Sequence, residues 1–421
     1  MAGSPPGAVV LGSDFKALGA VRSLARRRIP TVIVDNDPRA AWYSRHPRAR
    51  HRWCAAMDSR DLVRFLLVLA GEHGYRGWML FPTQDDAVEM ISQHADELAE
   101  AFRLATPAWP VLRRVQDKRL AHEIADRAGV GRPRTFYPAR EADLTRIDID
   151  YPVIVKPALS IPMQRTLHRK ALPARNHDQL VAQYRLGAAV LPPDLLMVQE
   201  LIPGDGRAQF SVATFCMEGR VVTALAARRT RQYPYDFGMS SSFVEEVECA
   251  GLTELAARIV REANLSGMVE VEFKRDRRDG IDKLLDINVR PWGWFQLCIA
   301  AGIDLPYLQY CWAMGLPLPR VTRRSGYAWR RGLTDLLAGI QEIRAGVTTP
   351  GGYVRSLVGR RVVGSVWDPS DPVPALLDPM VAVLRMARRS HDATEPGPTE
   401  SDSRLPDQVP PPARPRRAAR S

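Results

Sequence analysis

The apolar positions at the start of the chain alternate between strand-like runs and helix-like spacing. Ala8–Leu11 is a short apolar run, and a polar turn over 12–14 follows it. Apolar residues at helical spacing then occupy 17–28, and a second apolar run over 31–34 ends at Asp35. This order predicts a βαβ unit, which is how a doubly wound parallel sheet begins.

The same alternation continues to about residue 106. The predicted elements are a helix over 61–71, a strand over 78–81 and a helix over 85–102. A dinucleotide site, with Asp35 binding the ribose, is the alternative interpretation of this region. Gly12 and Gly19 do not form the G-x-G-x-x-G motif, so the glycine that lets a pyrophosphate approach the backbone is missing. The sequence therefore weighs against a nicotinamide or flavin site.

A second pattern begins at Asp117, with short apolar strands outnumbering the helices. Predicted helices cover 118–128 and 253–263, and predicted strands cover 135–137, 151–156, 196–200, 210–217, 221–228, 268–274 and 283–289. The pair Glu218-Gly219 joins two of these strands as a tight hairpin turn. Hairpin-connected strands with helices beside them predict an α+β lobe built on an antiparallel sheet.

Length and composition divide the chain into segments. At about 100–200 residues per domain, 421 residues predict two or three domains or lobes. Helical patterns cover 332–346 and 374–388, and from Ser390 the sequence has few apolar residues. The expected segments are a Rossmann-like α/β domain (1–106), α+β lobes (107–325), a helical appendix (326–389) and a disordered tail (390–421).

The formal net charge of +12 raises the question of nucleic-acid binding. Part of the excess lies in Arg26-Arg27-Arg28 at the end of a predicted helix, where cations complement the helix dipole. Another part lies in the arginine-rich tail. Because no basic stripe is interleaved with aromatic residues, we expect no nucleic-acid partner.

The cysteines and the apolar stretches indicate the compartment. The five cysteines are scattered without a Cys-x-x-Cys pair, so we expect neither a disulfide framework nor a thiolate zinc site. The first residues lack the basic start and apolar run of a secretory signal. The longest apolar stretch, 295–318, is broken by Asp304, Pro306 and Gly315, so no membrane span is expected. The sequence predicts a reduced, cytoplasmic protein.

Side chains with metal-binding chemistry concentrate on the last two predicted strands of the lobes. Alternate residues of a strand share one face. The two faces are Glu270, Glu272, Lys274 and Asp286, Asn288, Arg290. A hairpin would bring the oxygens of Glu272, Asp286 and Asn288 together, and such hard ligands suit Mg²⁺ beside a polyphosphate. An exposed hairpin with ordinary cross-strand ion pairs fits this segment equally well.

Two upstream lysines favour the functional interpretation of that hairpin. Lys118 begins a predicted helix behind Asp117, and Lys156 ends an apolar strand before Pro157. The stretch 199–204 lies between Lys156 and the hairpin, and its backbone N–H and C=O groups are suited to contact an adenine edge. Either lysine alone would be taken for a surface residue, but the combination is harder to dismiss.

These motifs, in this order, resemble those of the ATP-grasp superfamily. The matching segments are Asp117-Lys118, Val155-Lys156-Pro157, 198–204, Val271-Glu272-Phe273 and 286–291. The resemblance covers about residues 8–320, because members usually carry a Rossmann-like domain before the ATP-grasp lobes. Within the superfamily the sequence is similar to predicted carboxylate–amine ligases near D-aspartate ligase, with weaker support from 229–234 and Gly238.

The resemblance implies that the chain binds ATP. Lys118 and Lys156 would contact its phosphates, with Lys156 on the α-phosphate side. The segment at the adenine would be Gln199, Glu200, Leu201 and Ile202, with backbone groups of Glu200 and Ile202 facing the base. Asp205 or Gln209 would face the ribose.

The resemblance also implies a metal site and a reaction. Glu272, Asp286 and Asn288 would hold two Mg²⁺ ions, while Arg290 and Lys156 would stabilise charge on the transferring phosphoryl group. The implied activity is that of a ligase, which phosphorylates a carboxylate and joins it to an amine with release of ADP and phosphate. The expected partners are a small carboxylate, such as an amino acid, and an amine acceptor; a homodimer is left open.

One segment departs from the superfamily pattern. The loop after Lys156 is often glycine-rich, but here 158–165 contains no glycine. Arg165, Arg169 or Lys170 would then take over its contacts with the phosphates.

Further residues are candidates for the substrates. Arg229 and Arg231, together with Arg290, are expected to hold the donor carboxylate. The aromatic residues Tyr233, Tyr235 and Phe237 are candidates for the wall around the acceptor, although aromatics near a turn more often serve packing.

Two other function classes stay in view. A non-catalytic nucleotide-binding or regulatory protein would share the fold, but it would be free to lose the lysines and the metal ligands, which are present here. A nucleic-acid binder would rely on the +12 charge. The sequence names neither the donor, the acceptor nor the pathway.

Overall fold

The structure is a computed structural model that describes residues 5–54, 58–159, 171–235 and 240–392. Residues up to Pro379 form one compact unit, and a second unit begins at Met380. The described part of the second unit is the later portion of one helix, Val373–Asp392. The features below belong to the first unit.

The first sheet is parallel and begins with the βαβ unit that the sequence predicts. Its strands are β1 (Ala8–Leu11), β2 (Thr31–Asp35), β3 (Ala49–Arg52), β4 (Met79–Pro82) and β5 (Arg103–Leu104), in the order β3-β2-β1-β4-β5. Helices α1 (Phe15–Arg26), α2 (Ser59–Glu72), α3 (Asp85–Gln93) and α4 (Ala95–Ala99) accompany it. The expected α/β fold is confirmed. The edge strands β3 and β5 were not predicted, because neither has a run of apolar residues.

A small antiparallel sheet follows, in the order β6-β9-β7-β8. Its elements are β6 (Thr135–Phe136), β7 (Val153–Pro157), β8 (Leu172–Ala174), β9 (Leu196–Glu200) and helix α7 (His177–Ala188). Strands β7 and β9 pair directly, with Lys156 opposite Met197. This pairing places the second candidate lysine beside the strand that leads into the candidate adenine segment.

A large sheet forms the rest of the ATP-grasp-like region. Its strands are β10 (Gln209–Met217), β11 (Arg220–Tyr233), β12 (Ser240–Glu246), β13 (Gly267–Arg275), β14 (Asp282–Asn288), β15 (Tyr327–Arg330) and β16 (Arg361–Gly364). The order is β14-β13-β10-β11-β12-β15-β16. The predicted turn between β10 and β11 is confirmed, with φ of 48° at Glu218 and 73° at Gly219. Two left-handed residues in succession give the turn that matches strand twist.

The remaining helices begin at residue 109 and continue to the end of the described residues. They are α5 (Trp109–Gln116), α6 (Lys118–Ala128), α8 (Ala250–Ala263), α9 (Gln296–Ala300), α10 (Leu305–Ala313), α11 (Gly332–Arg344), α12 (Pro350–Ser356) and α13 (Val373–Asp392). The predicted appendix contains its helices, and it also contributes β15 and β16 to the large sheet. The tail predicted from Ser390 lies outside the described residues, apart from the end of α13.

The cysteines and the described helices have the following properties. All five cysteines are free, as expected from their spacing. None of the described helices combines the length and the apolar character that crossing a membrane requires.

One hydrophobic core joins the first sheet to the large sheet. Trp292, Phe295 and Trp329 are among its largest buried side chains. Helix α1 approaches this segment so closely that a Cβ atom at Gly19 would lie 2.6 Å from Phe295 Cζ and 2.7 Å from Gln296 Nε2. The close approach fixes the first sheet against the residues that follow β14.

The chain after β16 returns to the first sheet. Arg22 Nε lies 3.0 Å from Asp371 Oδ2, and both side chains are buried. Arg22 also donates to the Val366 carbonyl at 2.8 Å, and the Ser44 hydroxyl donates to Asp371 at 2.7 Å. A buried ion pair is tolerated only when its hydrogen bonds are satisfied in this way. Residues 366–371 are therefore part of the same folded unit as the first sheet.

We expect Gly19→Ala to destabilise the protein. Alanine gains up to about 1 kcal/mol in helix propensity over glycine, but overpacking a filled contact costs about 1–3 kcal/mol. Gly71→Ala in α2 is the matched control, since a Cβ atom there meets no heavy atom within 4 Å. Chemical denaturation compares the two variants. An equal gain of stability in both would contradict the close contact at Gly19.

Candidate active site

The hairpin of β13 and β14 brings the predicted oxygen ligands together. Glu272 is paired with Asp286, and Glu270 with Asn288, across the two strands. The Asn288 amide Nδ2 donates to Glu270 Oε2 at 3.0 Å and to Glu272 Oε1 at 3.1 Å. The predicted juxtaposition of Glu272, Asp286 and Asn288 is confirmed as geometry.

Lys118 reaches this hairpin from the start of α6. Its ammonium forms an ion pair with Asp286, and its side chain is buried. Asp117 caps the helix by accepting from the backbone N–H of Arg119, and the Lys118 N–H donates to the Ala158 carbonyl at 2.9 Å. These bonds fix the backbone on both sides of the lysine, so the ammonium is held at the end of the hairpin.

Lys156 lies near the same place, at the end of β7. Burial, followed by the nearby Lys118, lowers the pKa of its amine to about 7, while Asp286 acts in the opposite direction. An amine with this pKa carries only part of a positive charge at neutral pH. The two predicted lysines are thus brought together beside Asp286, in a position where an anion would stabilise both charges.

Glu270 is a buried carboxyl group at the base of this cluster. Burial raises the pKa of this group above its ordinary value, and the neighbouring Glu272 carboxylate acts in the same direction. The Trp294 indole donates to Glu270 Oε1 at 2.7 Å. The strand alternation placed Glu270 on the functional face, but no sequence signal connected Trp294 to it.

The end of β9 forms the candidate adenine segment. The Glu200 N–H donates to the Arg134 carbonyl at 3.0 Å, and the Leu201 N–H donates to the Pro152 carbonyl at 3.1 Å. Those two N–H groups are therefore already used within the protein. Among the described residues, the Ile202 N–H has no acceptor. Of the N–H groups of residues 200–202, only that of Ile202 is therefore left for a ligand.

The side chains of this segment have structural partners. Gln199 Nε2 donates to the Thr135 hydroxyl at 2.8 Å. The Glu200 carboxylate accepts from Arg278 at 2.5 Å and from Lys283 at 3.0 Å. Lys274, the third residue of the predicted polar face, donates to the Ile202 and Gly204 carbonyls at 2.7 Å each. The segment is thus held against the large sheet by charged side chains.

The two candidate ribose residues differ in their surroundings. The Asp205 carboxylate caps a short turn by accepting from the Arg207 N–H at 2.9 Å. Gln209 Oε1 is buried without any hydrogen-bond partner among the described residues. A buried acceptor without a donor is costly in a folded protein. Gln209 therefore has an acceptor that a ligand hydroxyl would satisfy.

Arg290 has a partner that sequence reasoning missed. Its Nε and Nη2 donate to the two carboxylate oxygens of Asp85 at 2.8 and 2.9 Å. Burial works against the charged guanidinium, but Asp85 raises the pKa of Arg290 above its ordinary value. Asp85 begins α3 on the first sheet, and its negative charge there complements the helix dipole. The first sheet thus contributes a residue to the cluster.

Comparison with known proteins shows what the chain is similar to. The family described as "ATP-grasp in the biosynthetic pathway with Ter operon" matches residues 193–330. D-aspartate ligase of Enterococcus faecium (strain Aus0004) is 23% identical over 301 residues, which is 67% of this chain and 70% of that protein. The chain is thus similar to ATP-grasp proteins over residues 193–330 and, over a longer stretch, to a D-aspartate ligase.

Solved structures agree with this ATP-grasp fold. The biotin carboxylase domain of Hydrogenobacter thermophilus 2-oxoglutarate carboxylase, determined with magnesium ADP, superimposes with a TM-score of 0.61. That match has 17% identity and covers 76% of this chain and 73% of the other. The L-amino acid ligase of Bacillus licheniformis gives a TM-score of 0.54 with 12% identity, covering 74% of each chain. The predicted fold is confirmed, and ATP and Mg²⁺ are the cofactors standard for this family.

One predicted role in the ATP-grasp lobes is wrong. Arg231 was expected to help hold a substrate carboxylate, but its guanidinium is buried and donates to both oxygens of Asp335, at 2.8 and 2.9 Å. It also lies over the rings of Phe243 and Tyr353. Arg229, two residues earlier, lies 3.7 Å from Glu272 Oε2. Only Arg229 of this pair faces the hairpin ligands.

Some of the other residues predicted to contact the phosphates or the substrates lie outside the described ranges. The loop residues Arg165, Arg169 and Lys170 lie outside the described residues, as does Phe237. The backbone N–H of Tyr235 donates to Gln341 Oε1 at 3.0 Å, which ties this turn to α11.

The donor set of the ATP-grasp site consists of two carboxylates and an amide. In the described ranges there is no group of three or more His, Cys, Asp or Glu side chains arranged to hold a metal. The Asp286 carboxylate is bound by Lys118, and Asn288 uses its Nδ2 towards Glu270 and Glu272. A Mg²⁺ ion here would therefore draw on Glu272, Asp286 and the Asn288 oxygen, with phosphate oxygens completing its shell.

We expect ATP affinity to decrease as the pH rises above 7. Lys156, with a pKa of about 7, is mostly neutral there, and a bound polyphosphate would raise that pKa and take up a proton. One linked proton changes the affinity by up to about tenfold per pH unit. Titration calorimetry between pH 6.5 and 9 measures the slope, and Lys156→Arg is the control that should flatten it. An equal slope in both proteins would contradict the position of Lys156.

Arg231 and Arg229 should give opposite results on substitution. Arg231→Met leaves Asp335 buried without its partner, so we expect a loss of about 3–5 kcal/mol in the free energy of unfolding. Arg229→Gln, at a more exposed position, should change stability by less than about 1 kcal/mol. Denaturant titrations measure both values. Unchanged stability of Arg231→Met would show that the buried pair is not structural.

Proposed function

We propose that the protein is an ATP-dependent ligase that activates a carboxylate and joins it to an amine. The observation that carries the proposal is the meeting of Lys118 and Lys156 with Asp286, Glu272 and Asn288 at one end of the hairpin. Phosphoryl transfer asks a protein mainly for positioning and for charge neutralisation, and this cluster provides both kinds of group. The similarity to a D-aspartate ligase and to an L-amino acid ligase supports the same class of reaction.

The unsatisfied groups of the site fit a nucleotide. The Ile202 N–H would donate to the adenine ring, and Gln209 Oε1 would accept from a ribose hydroxyl. Lys118 and Lys156 would bind the phosphates, whose negative charge would favour the protonated form of Lys156. The Ile202 N–H and Gln209 Oε1 have no hydrogen-bond partner in the part of the chain that the structure describes. Lys118 and Lys156 are two cationic side chains close to each other. A polyanionic nucleotide would therefore interact favourably with all four groups.

Glu272, Asp286 and Asn288 would hold Mg²⁺ at the phosphates. The ions would neutralise the charge that develops on the phosphoryl oxygens during transfer. Asp286 would then exchange part of its contact with Lys118 for the metal, and the lysine ammonium would be free to bind phosphate oxygens. Glu270 accepts hydrogen bonds from the Trp294 indole and from the Asn288 side-chain amide. It would thereby fix the orientation of the Asn288 amide, with its oxygen free for the metal.

The proposed reaction has two steps. A carboxylate oxygen attacks the γ-phosphorus of ATP; the new O–P bond forms as the bond to the bridging oxygen breaks, and ADP leaves. The amine then attacks the acyl carbon, the C–N bond forms, the C–O bond to phosphate breaks, and the amine loses a proton to water. Arg290 would stabilise the acyl phosphate, because its fork of N–H donors suits phosphate and carboxylate oxygens.

The proposed substrates are a small carboxylate, such as an amino acid, and an amine. Arg229 and Arg290 are the cations that would face the donor carboxylate. No nucleic-acid partner is part of the proposal, and the cytoplasmic location remains a prediction. A nucleotide-binding protein without chemistry is the outcome that a negative activity test would favour.

The test is Mg²⁺-dependent ADP release with a matrix of amino-acid carboxylates and amines, with product masses read from each active well. We expect ADP only when both partners are present, together with a product whose mass equals their condensation. Asp286→Ala and Lys156→Ala should abolish turnover while the far-ultraviolet circular dichroism is unchanged. Asp148→Ala, at a fully exposed carboxylate, is the control that should retain full activity.

Two results would contradict the proposal. Full activity of Asp286→Ala and Lys156→Ala would show that the cluster does not act on the phosphates. Absence of turnover throughout the matrix, with Mg-ATP still raising the Tm, would favour a nucleotide-binding protein that performs no ligation.

A further inference from the structure

Lys16 and Asp85 follow β1 and β4, the two strands between which the strand order of the first sheet reverses, and the region at the carboxyl ends of these strands is called the crevice. In the strand order β3-β2-β1-β4-β5, strands β2 and β3 lie on one side of β1, and strands β4 and β5 lie on its other side. The carboxyl ends of two such strands leave an opening, and open α/β sheets bind ligands there. The loop after β1 leads to Lys16 in the first turn of α1, and the loop after β4 leads to Asp85.

Lys16 is nearly buried but has few hydrogen-bond partners. Its side chain is 14% exposed, and the one ion-pair partner among the described residues is Asp14 Oδ2, at 3.4 Å. The other oxygen of Asp14 accepts from the backbone N–H groups of Lys16 and Ala17. An ammonium has three donors and no acceptor, so donors of Lys16 are left over. Burial lowers the pKa of the Lys16 amine in spite of Asp14.

Arg290 reaches the same crevice from the end of β14. It is close enough to Lys16 for the two cations to affect each other, and Asp85 lies close to both. Asp85 binds Nε and Nη2 of the guanidinium, which leaves Nη1, whose described partner is the Pro291 carbonyl at 3.2 Å. The Asp85 side chain is 46% exposed, so this pair borders open space.

We propose that Lys16 and Arg290 form the subsite that binds the substrate carboxylate, and that Asp85 is a positioning residue that orients Arg290 in it. This inference rests on the proposed ligase function and names the residues that recognise its carboxylate substrate. Lys16 is the specificity-determining residue, because its ammonium has donors to spare and is close enough to Arg290 for the two charges to affect each other.

The charges of the cluster explain why a carboxylate fits. Each oxygen of the Asp85 carboxylate accepts from one N–H group of Arg290, which holds the guanidinium in one plane. Asp14 is engaged at the helix cap, so it neutralises Lys16 only partly. A substrate carboxylate between Lys16 and Nη1 of Arg290 would supply the missing acceptor.

Steady-state kinetics of the full chain tests Lys16. Lys16→Met should raise the KM for the carboxylate by about 10- to 100-fold, the range expected for losing a hydrogen bond to a charged group. The dissociation constant for Mg-ATP should stay within about twofold of the wild-type value, and Lys16→Arg should recover most of the loss. Arg64→Gln, which removes an exposed cation on α2, is the matched control and should change neither constant. A carboxylate KM unchanged in Lys16→Met would overturn the subsite while leaving the ligase function standing.

Asp85 needs a readout that separates positioning from folding. Asp85→Asn should raise the carboxylate KM and lower kcat together, without changing Mg-ATP binding, and Asp85→Glu should restore part of both. Glu89→Gln, one turn later on α3, makes the same chemical change away from Arg290 and should be neutral. A parallel loss of Mg-ATP affinity and Tm in Asp85→Asn would mean that the residue is structural, which contradicts the positioning role.

A binding experiment keeps the inference testable without turnover. Amino-acid carboxylates from the activity panel, and their uncharged amides, are titrated calorimetrically into the full chain saturated with Mg²⁺ and a non-hydrolysable ATP analogue. We expect the wild type to bind carboxylates but not the amides, and Lys16→Met to lose that preference. If the wild type binds carboxylates in this way but releases no ADP from ATP anywhere in the activity panel, the ligase proposal is wrong and the subsite stands. A wild type that binds no carboxylate of the panel would overturn the subsite.

Discussion

The ion pair between Lys118 and Asp286 joins the start of α6 to the last strand of the hairpin, and the surrounding site depends on it. Charges in a place with little water need partners nearby, because the cost of removing them from water is large. Asp286 forms an ion pair with Lys118, and Asp85 forms one with Arg290. The Asn288 amide donates to both Glu270 and Glu272. The Lys118–Asp286 and Asp85–Arg290 pairs join elements far apart in the chain, so folding itself brings these charges to the hairpin.

The cluster contains cationic side chains and a polar group that are not fully partnered by the described residues, and a polyanion would interact favourably with the cations. Lys156 is close to Lys118 and is partly deprotonated, and Lys16 has spare donors in the crevice of the first sheet. Gln209 has a buried acceptor without a donor. Nucleotide phosphates and a substrate carboxylate would satisfy these groups together. The first sheet is therefore more than a support, because it supplies one wall of the proposed reaction site.

Strand periodicity was enough to predict which side chains share a face of the hairpin, because alternate residues of a strand lie on the same side. It could not predict Asp85, which lies on α3 beside the first sheet and meets Arg290 only through tertiary packing. The misassignment of Arg231 has a related cause, since a basic residue beside a site resembles a ligand until its buried partner Asp335 is known. The strands β15 and β16 were missed because four-residue strands between helices leave little periodicity.

Oxygen transfer from the carboxylate to phosphate tests the central claim most directly. The donor found in the activity panel is labelled with ¹⁸O in its carboxylate, and the phosphate released during ligation is analysed by mass spectrometry. Activation by an acyl phosphate predicts one ¹⁸O atom in each phosphate, because the oxygen that attacked the γ-phosphorus leaves with it. Unlabelled phosphate, with both labelled oxygens accounted for in other products, would contradict this account of the site.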